Sequence, residues 1–135
     1  MFCDLVGSST LAEQLDPEEW REVLRAYQQL CTEVIQRYEG YIAQYLGDGL
    51  LVYFGYPVAH EDDARRAIRT GLGIVAAIKQ NTPILRQTLG VELAVRVGIH
   101  TGLVVMDEVG YGERREQLAL GETTNLAARI QSLTA

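Results

Sequence analysis

Two aspartates hold positions where a carboxylate can do chemistry. Asp48 lies between Gly47 and Gly49, and apolar or aromatic residues run up to it and away from it over residues 44–53. Asp4 ends a shorter apolar run, Met1-Phe2-Cys3. If the two runs are neighbouring strands, the carboxylates converge at one sheet edge, an arrangement that suits hard divalent cations. An aspartate between glycines also suits a turn for its own sake, so the metal reading depends on the second carboxylate. Asn125 and Arg129 are four residues apart and project from one helix face. An amide that orients a sugar and a guanidinium that grips a phosphate use this spacing; a solvated surface pair uses it as well. Leu126, Ile130 and Leu133 form the adjacent apolar stripe, which places the polar pair at the border of the core. Gly7-Ser8-Ser9-Thr10 follows Asp4 and opens a helix, so its backbone N–H groups offer an anion site. N-capping by Ser8 or Ser9 accounts for the same residues. His60 and His100 stand apart from each other and from any His/Cys/carboxylate cluster, and neither is assigned a catalytic role.

The elements that must position these groups follow from periodicity. Residues 1–5 read as a strand. Asp16-Pro17-Glu18-Glu19 is a strong helix start, with Asp16 as cap, Pro17 in the first turn and Glu19 closing a capping box. Trp20, Val23, Leu24, Tyr27, Leu30, Cys31, Val34, Ile35 and Tyr38 then form one apolar face, which Gly40 ends. Residues 41–46 and 50–54 form a hairpin about Asp48, because Gly47 and Gly49 supply the φ freedom of a tight reversal. A second long helix opens at His60-Glu61-Asp62-Asp63 and carries Ala64, Ala67, Ile68, Leu72, Val75 and Ile78; Asn81-Thr82-Pro83 interrupts it and Gly90 closes the region. Residues 91–99 alternate as a strand, with Leu93, Val95, Val97 and Ile99 on one side and Glu92, Ala94, Arg96 and Gly98 on the other. Residues 103–106 form a further strand. Gly110-Tyr111-Gly112-Glu113 marks a hairpin tip leading to Gln117-Leu118-Ala119-Leu120, and Gly121-Glu122-Thr123-Thr124 opens the last helix. The order β-α-α-β-β-α-β-β-α predicts an α+β fold, a ferredoxin-like antiparallel sheet with helices on one face.

Composition narrows the function classes. The chain has 135 residues, 47% of them hydrophobic, and a formal charge of -6. That is one domain with room for a core. The acidic balance argues against general nucleic-acid binding. No apolar run approaches the ~20 residues of a membrane-spanning helix, and no signal peptide is visible. Cys3 and Cys31 lack metal-site spacing and read as reduced core thiols of a cytoplasmic protein, with a disulfide as the alternative.

Four motifs in order carry a family resemblance: Phe2-Cys3-Asp4-Leu5-Val6-Gly7, Leu46-Gly47-Asp48-Gly49, Val97-Gly98-Ile99-His100-Thr101-Gly102 and Gly121-Glu122-Thr123-Thr124-Asn125-Leu126-Ala127-Ala128-Arg129. Together they closely resemble the class III nucleotidyl cyclases, the adenylate and guanylate cyclases, in their bacterial form. The resemblance spans nearly the whole chain. It implies the cyclase catalytic fold, C-terminally truncated, as a single domain over residues 1–135 of a larger protein. It implies formation of a 3′,5′-cyclic nucleotide and pyrophosphate from a nucleoside triphosphate, ATP in preference to GTP, with two Mg²⁺ or Mn²⁺ ions. Asp4 and Asp48 resemble the metal ligands, joined by the Leu5 carbonyl. Gly7, Ser8 and Ser9 fall where backbone amides meet the triphosphate. Asn125 resembles the ribose-orienting residue, and Arg129 the one that stabilises charge on the α-phosphate. The family site lies between two antiparallel chains, which implies a homodimer, with the segment around Val109-Gly110-Tyr111-Gly112 as the arm that reaches the partner.

Departures from the family pattern fall on base recognition. Adenylate cyclases of this class usually carry lysine and aspartate at the positions held here by Gln44 and Leu118. An amide can still donate to and accept from a base; a leucine does neither. This leaves a rival reading, a degenerate cyclase-homology domain that binds nucleotide or a partner and regulates attached domains. A palm-type polymerase or diguanylate cyclase shares the two-carboxylate logic but needs a Gly-Gly-acidic-acidic-Phe hairpin, which this sequence lacks.

Overall fold

Local sequence signals set most of the elements. In a computed structural model, residues 1–103, 105–111, 114–120 and 122–133 are described, with side chains for 1–103 and 125–133. In chain order the elements are β1 (Phe2–Leu5), α1 (Ser8–Gln14), α2 (Pro17–Arg37), β2 (Tyr41–Leu46), β3 (Gly49–Tyr53), α3 (Asp63–Leu89), β4 (Val95–Gly98), β5 (Val105–Tyr111), β6 (Arg114–Leu120) and α4 (Glu122–Leu133). The capping box at α2 forms as expected: Glu19 N donates to Asp16 Oδ1 at 2.8 Å, and Asp16 N to Glu19 Oε1 at 3.5 Å. The end of α2 differs. Tyr38 is the C-cap and Glu39 takes the positive φ of 58°, while Gly40 is needed for closeness, since a Cβ there would lie 2.8 Å from Ile35 Cγ2.

The main sheet has the antiparallel order β2-β3-β1-β4. Side chains alternate across it. Cys3, Leu5, Leu50 and Val52 are buried beneath α2 and α3 with Val23, Tyr27, Cys31, Val34, Ile35, Ile74 and Ile78. Tyr27 is fully buried, and its hydroxyl and the Cys3 thiol are hydrogen-bonded at 3.3 Å. The thiols are free, so the disulfide alternative is not what forms. The hydrogen bond with Cys3, then burial, pushes the Cys31 thiol up, which keeps it protonated.

Neighbouring residues on β4 show that helices sit on both faces. A Cβ on Gly71 of α3 would contact Val97, whereas one on Gly98 would collide with the Ala127 carbonyl and Gln131 N of α4. Val97 and Gly98 point to opposite faces. The two long helices therefore share one face and α4 covers the other, so the expectation of helices on one face holds for α2 and α3 but not for α4.

Three expectations need correction. Pro83 does not interrupt the second long helix: α3 runs through it from Asp63 to Leu89. Just before it, Asn81 Nδ2 donates to the Ala77 carbonyl (2.7 Å) and Thr82 Oγ1 to that of Ile78 (3.0 Å), so both polar side chains are satisfied within the helix. Beyond the proline, Leu85 is buried in the core and holds the last turns in place. The alternating run 91–99 is a strand only over Val95–Gly98. Val91 and Leu93 are buried, but the β1 ladder ends with Leu5 opposite Val95, followed by a single bond from Val6 N to the Ala94 carbonyl. Upstream residues have no strand to pair with. Finally, three strands, not two, separate α3 from α4, because β5 and β6 form their own two-stranded ribbon. Its tip at residues 112 and 113, and Gly121 before α4, lie outside the described residues; β5 and β6 pair up to that tip, with Tyr111 opposite Arg114.

Candidate active site

The hairpin turn brings the two aspartates together. Gly47 takes φ 62°, a left-handed conformation that glycine adopts without strain, and β3 begins at Gly49. Gly49 lies opposite Asp4 in the β1–β3 ladder. Asp48, one residue earlier, is therefore at the same sheet end as Asp4. Asp4, Arg96 and Gly49 are cross-strand partners and share the α4 face of the sheet. Gln44 pairs with Leu51, two residues on from Gly49, so it belongs to that face as well.

Asp4 is partly claimed already. Its Oδ1 accepts hydrogen bonds from Gln131 Nε2 at 2.6 Å and from Arg96 Nε at 3.3 Å. Its Oδ2 and the half-buried Asp48 carboxylate have no hydrogen-bond or ion-pair partner among the described residues. Two carboxylates without thiolate or imidazole are an oxygen donor set that fits Mg²⁺ or Mn²⁺. Among the described residues no three or more His, Cys, Asp or Glu side chains are placed to hold a metal ion together. A cation held here needs backbone oxygen, such as the Leu5 carbonyl, and water or substrate oxygen for its other ligands, which is the usual state of Mg²⁺.

The chain leaves β1 through Val6 and enters α1 at Ser8. Neither serine caps that helix: Gly7 is the N-cap at φ 68°, and no side chain closes the helix end. The first-turn N–H groups of Ser8 and Ser9 are left without a side-chain cap next to the carboxylates.

Asn125 and Arg129 do not join this cluster within one chain. Both are exposed and neither has a hydrogen-bond or ion-pair partner for its side chain among the described residues. Helical phase explains this. At about 100° per residue, Arg129 and Asn125 lie about 200° and 240° from Gln131, the residue that reaches Asp4. The expectation that Leu126, Ile130 and Leu133 line the core is corrected too. They are exposed (36%, 37% and 84%), and the face of α4 seated on the sheet carries Ala127 and Gln131 instead. An apolar stripe in a single sequence does not say whose core it joins.

Sequence reasoning overlooked Arg96 and Gln131 as neighbours of Asp4. For Arg96 the signal existed, since it alternates onto the face opposite Val95 and Val97; Gln131 gave none. Leu118 lies in β6 opposite Asp107, and its side chain is outside the described residues. His60 is not isolated. Its Nε2 is 2.8 Å from Glu39 Oε2, its Nδ1 3.2 Å from Asp63 Oδ1, and its N–H donates to Asp63 Oδ2 at 2.7 Å. Glu39 precedes β2 and Asp48 follows it, so this cluster is at the far end of that strand from the site and ties the α2–β2 turn to the start of α3.

The chain and its fold are similar to known proteins. The family model described as the adenylate and guanylate cyclase catalytic domain matches residues 1–135. Adenylate cyclase 1 of Rhizobium meliloti (strain 1021) is 33% identical over 133 residues, covering 98% of this chain but 20% of the relative. This chain therefore spans about a fifth of that protein. The guanylyl cyclase Cya2 superposes with a TM-score of 0.93 at 36% identity, covering 99% of this chain and 68% of the other. The adenylyl cyclase CyaB from P. aeruginosa gives 0.91 at 28% identity, with 99% and 70% covered. Among the described residues no helix is long and apolar enough to cross a membrane.

Proposed function

This chain belongs to the adenylate and guanylate cyclase catalytic domain family, and from that premise we propose that it converts ATP into 3′,5′-cyclic AMP and pyrophosphate for intracellular signalling, as a homodimer with two Mg²⁺ or Mn²⁺ ions per site. Asp4, Asp48 and the Leu5 carbonyl hold the cations. Cations held there would acidify the ribose 3′-hydroxyl and neutralise phosphate charge. The 3′-hydroxyl loses its proton to solvent water, its oxygen attacks the α-phosphorus, the bond to the β-phosphate oxygen breaks, and pyrophosphate leaves. The N–H groups at Gly7, Ser8 and Ser9 face the triphosphate. Asn125 of the second chain orients the ribose, and its Arg129 meets the charge that builds on the α-phosphate. Gln44 and Leu118 border the base.

One observation carries the two-chain site: α4 seats Ala127 and Gln131 on its own sheet and turns Asn125, Arg129 and an apolar stripe outward. Val6, Tyr45 and Leu46, which flank Asp4 and Asp48, are exposed apolar residues too (37%, 50% and 41%). Each chain thus offers an apolar stripe beside Asn125/Arg129 and an apolar rim beside the carboxylates. A two-fold dimer brings stripe to rim twice. The test is cyclic nucleotide formation with Mn²⁺ and either ATP or GTP. Cyclic AMP formed in preference to cyclic GMP is the expected result; no cyclic product from either nucleotide sinks the proposal. A regulatory domain without turnover is the second reading, favoured by an apolar Leu118 where a base-reading carboxylate is usual.

A further inference from the structure

We infer that Gln131 is a positioning residue that ties α4 to the cation-binding carboxylate of Asp4, so that the helix carrying Asn125 and Arg129 responds to cation binding at Asp4. The inference rests on the proposed two-carboxylate site.

Gln131 is 8% exposed and spends its amide N–H on Asp4 Oδ1 at 2.6 Å. A buried amide bonded to a charged acceptor is a strong tether, since hydrogen bonds to ions exceed neutral ones. The helix also lies close against β4. Gly98 of β4 has no side chain, and the Ala127 carbonyl and Gln131 N occupy the space a Cβ would take. Contact with β4 thus sets the height of α4 on the sheet, and the Gln131–Asp4 bond sets its rotation. Arg96 Nε approaches the same Oδ1 at 3.3 Å. Both donors fall on one oxygen and leave Oδ2 for a ligand. The residue types divide the work. An amide orients the carboxylate without cancelling its charge, whereas the Arg96 cation competes with any metal there. When a divalent cation arrives, the Arg96 pair weakens and the amide tether remains.

The consequence follows from helix geometry. Gln131 faces inward to Asp4 while Asn125 and Arg129 face outward, all on one helix. In a dimer with shared sites, Asp4 serves one site and the outward pair serves the other. A cation bound at the first site therefore steadies the helix that serves the second.

The test uses the whole chain and Mn²⁺ alone, without nucleotide. Mn²⁺ affinity is read from the electron paramagnetic resonance of free Mn²⁺, and backbone hydrogen exchange is followed over residues 125–133 with and without the ion. Gln131→Met removes the amide at similar volume; Gln131→Asn keeps an amide too short to reach and covers the case where the first variant fails to fold. Each is expected to weaken Mn²⁺ binding by about 10–100-fold, the usual effect of losing a group that orients a ligand. In the unaltered chain Mn²⁺ slows exchange in α4; in the variants it does not. Variant affinity within about 2-fold of the original overturns the inference, and so does an α4 response that survives the substitution. If the unaltered chain binds no Mn²⁺, the two-carboxylate site fails first and takes the inference with it.

Discussion

Asp48 and Asp4 differ in what already holds their oxygens. Asp48 follows a glycine turn and has no side-chain partner among the described residues, whereas Asp4 shares Oδ1 between Gln131 and Arg96. Removing the Asp48 carboxylate therefore breaks no described contact. Asp48→Ala is expected to abolish Mn²⁺-dependent turnover with an unchanged thermal midpoint and circular dichroism spectrum. Wild-type turnover in that variant, or turnover indifferent to EDTA, rules out the two-metal assignment. The base-facing residues predict a second result. A pocket that reads a base through buried hydrogen bonds discriminates by ~10⁴ or more, and an apolar lining by far less. With Gln44 on the site face and Leu118 as its proposed companion, ATP should be preferred over GTP by about 10-fold in kcat/KM. A ratio above about 10³ means that other residues read the base.

At the scale of the element, Pro83 gives the cleanest test of what holds α3 together. A proline inside a helix loses one backbone hydrogen bond and crowds the carbonyl four residues back, at a cost near 3 kcal/mol. Here Asn81 and Thr82 bond the Ala77 and Ile78 carbonyls, and buried Leu85 anchors the far side. Alanine restores the lost N–H and removes the crowding, so Pro83→Ala should stabilise the domain by about 1–3 kcal/mol, read as a raised denaturation midpoint. A lowered midpoint implies that the proline ring packs usefully. The same helix shows where sequence reading runs out. The Asp16–Glu19 box and the Gly47 turn were legible because residues within a few positions settle them. The α3 break expected at Pro83 does not occur, because the core that holds Leu85 is built from residues remote in sequence. The alternation over residues 91–99 misleads for a related reason: it marks which side chains are buried, but a strand also needs a partner, and β1 stops short. The carboxylate pair at one sheet end was legible from two apolar runs ending in aspartate. The tether from Gln131 was not, since no local pattern links residues 4 and 131.

At the scale of the molecule, the question is whose site Asn125 and Arg129 complete. They face away from Gln131, and Gln131 faces Asp4, so no simple rotation of α4 brings all of them to one chain's carboxylates. The proposed dimer resolves this by crossing, and crossing has a countable consequence. Asp48→Ala alone should be inactive, since both sites lack a metal ligand. Arg129→Ala alone should lose about 10²–10³ in rate, the usual loss on removing a group that meets transition-state charge. When the two variants are mixed and exchange partners at random, half the dimers pair one of each. In a mixed dimer one site carries both lesions and the other carries neither. Half the dimers, each with one intact site of two, should restore about a quarter of the original activity. A site contained within one chain gives two impaired variants and no rescue, and a regulatory domain gives no turnover in any combination. Subunit exchange is verified separately with differently tagged chains. If exchange occurs and activity does not return, the shared site is wrong even where the unaltered protein makes cyclic nucleotide, and the outward stripe of Leu126, Ile130 and Leu133 must then meet something other than a second copy.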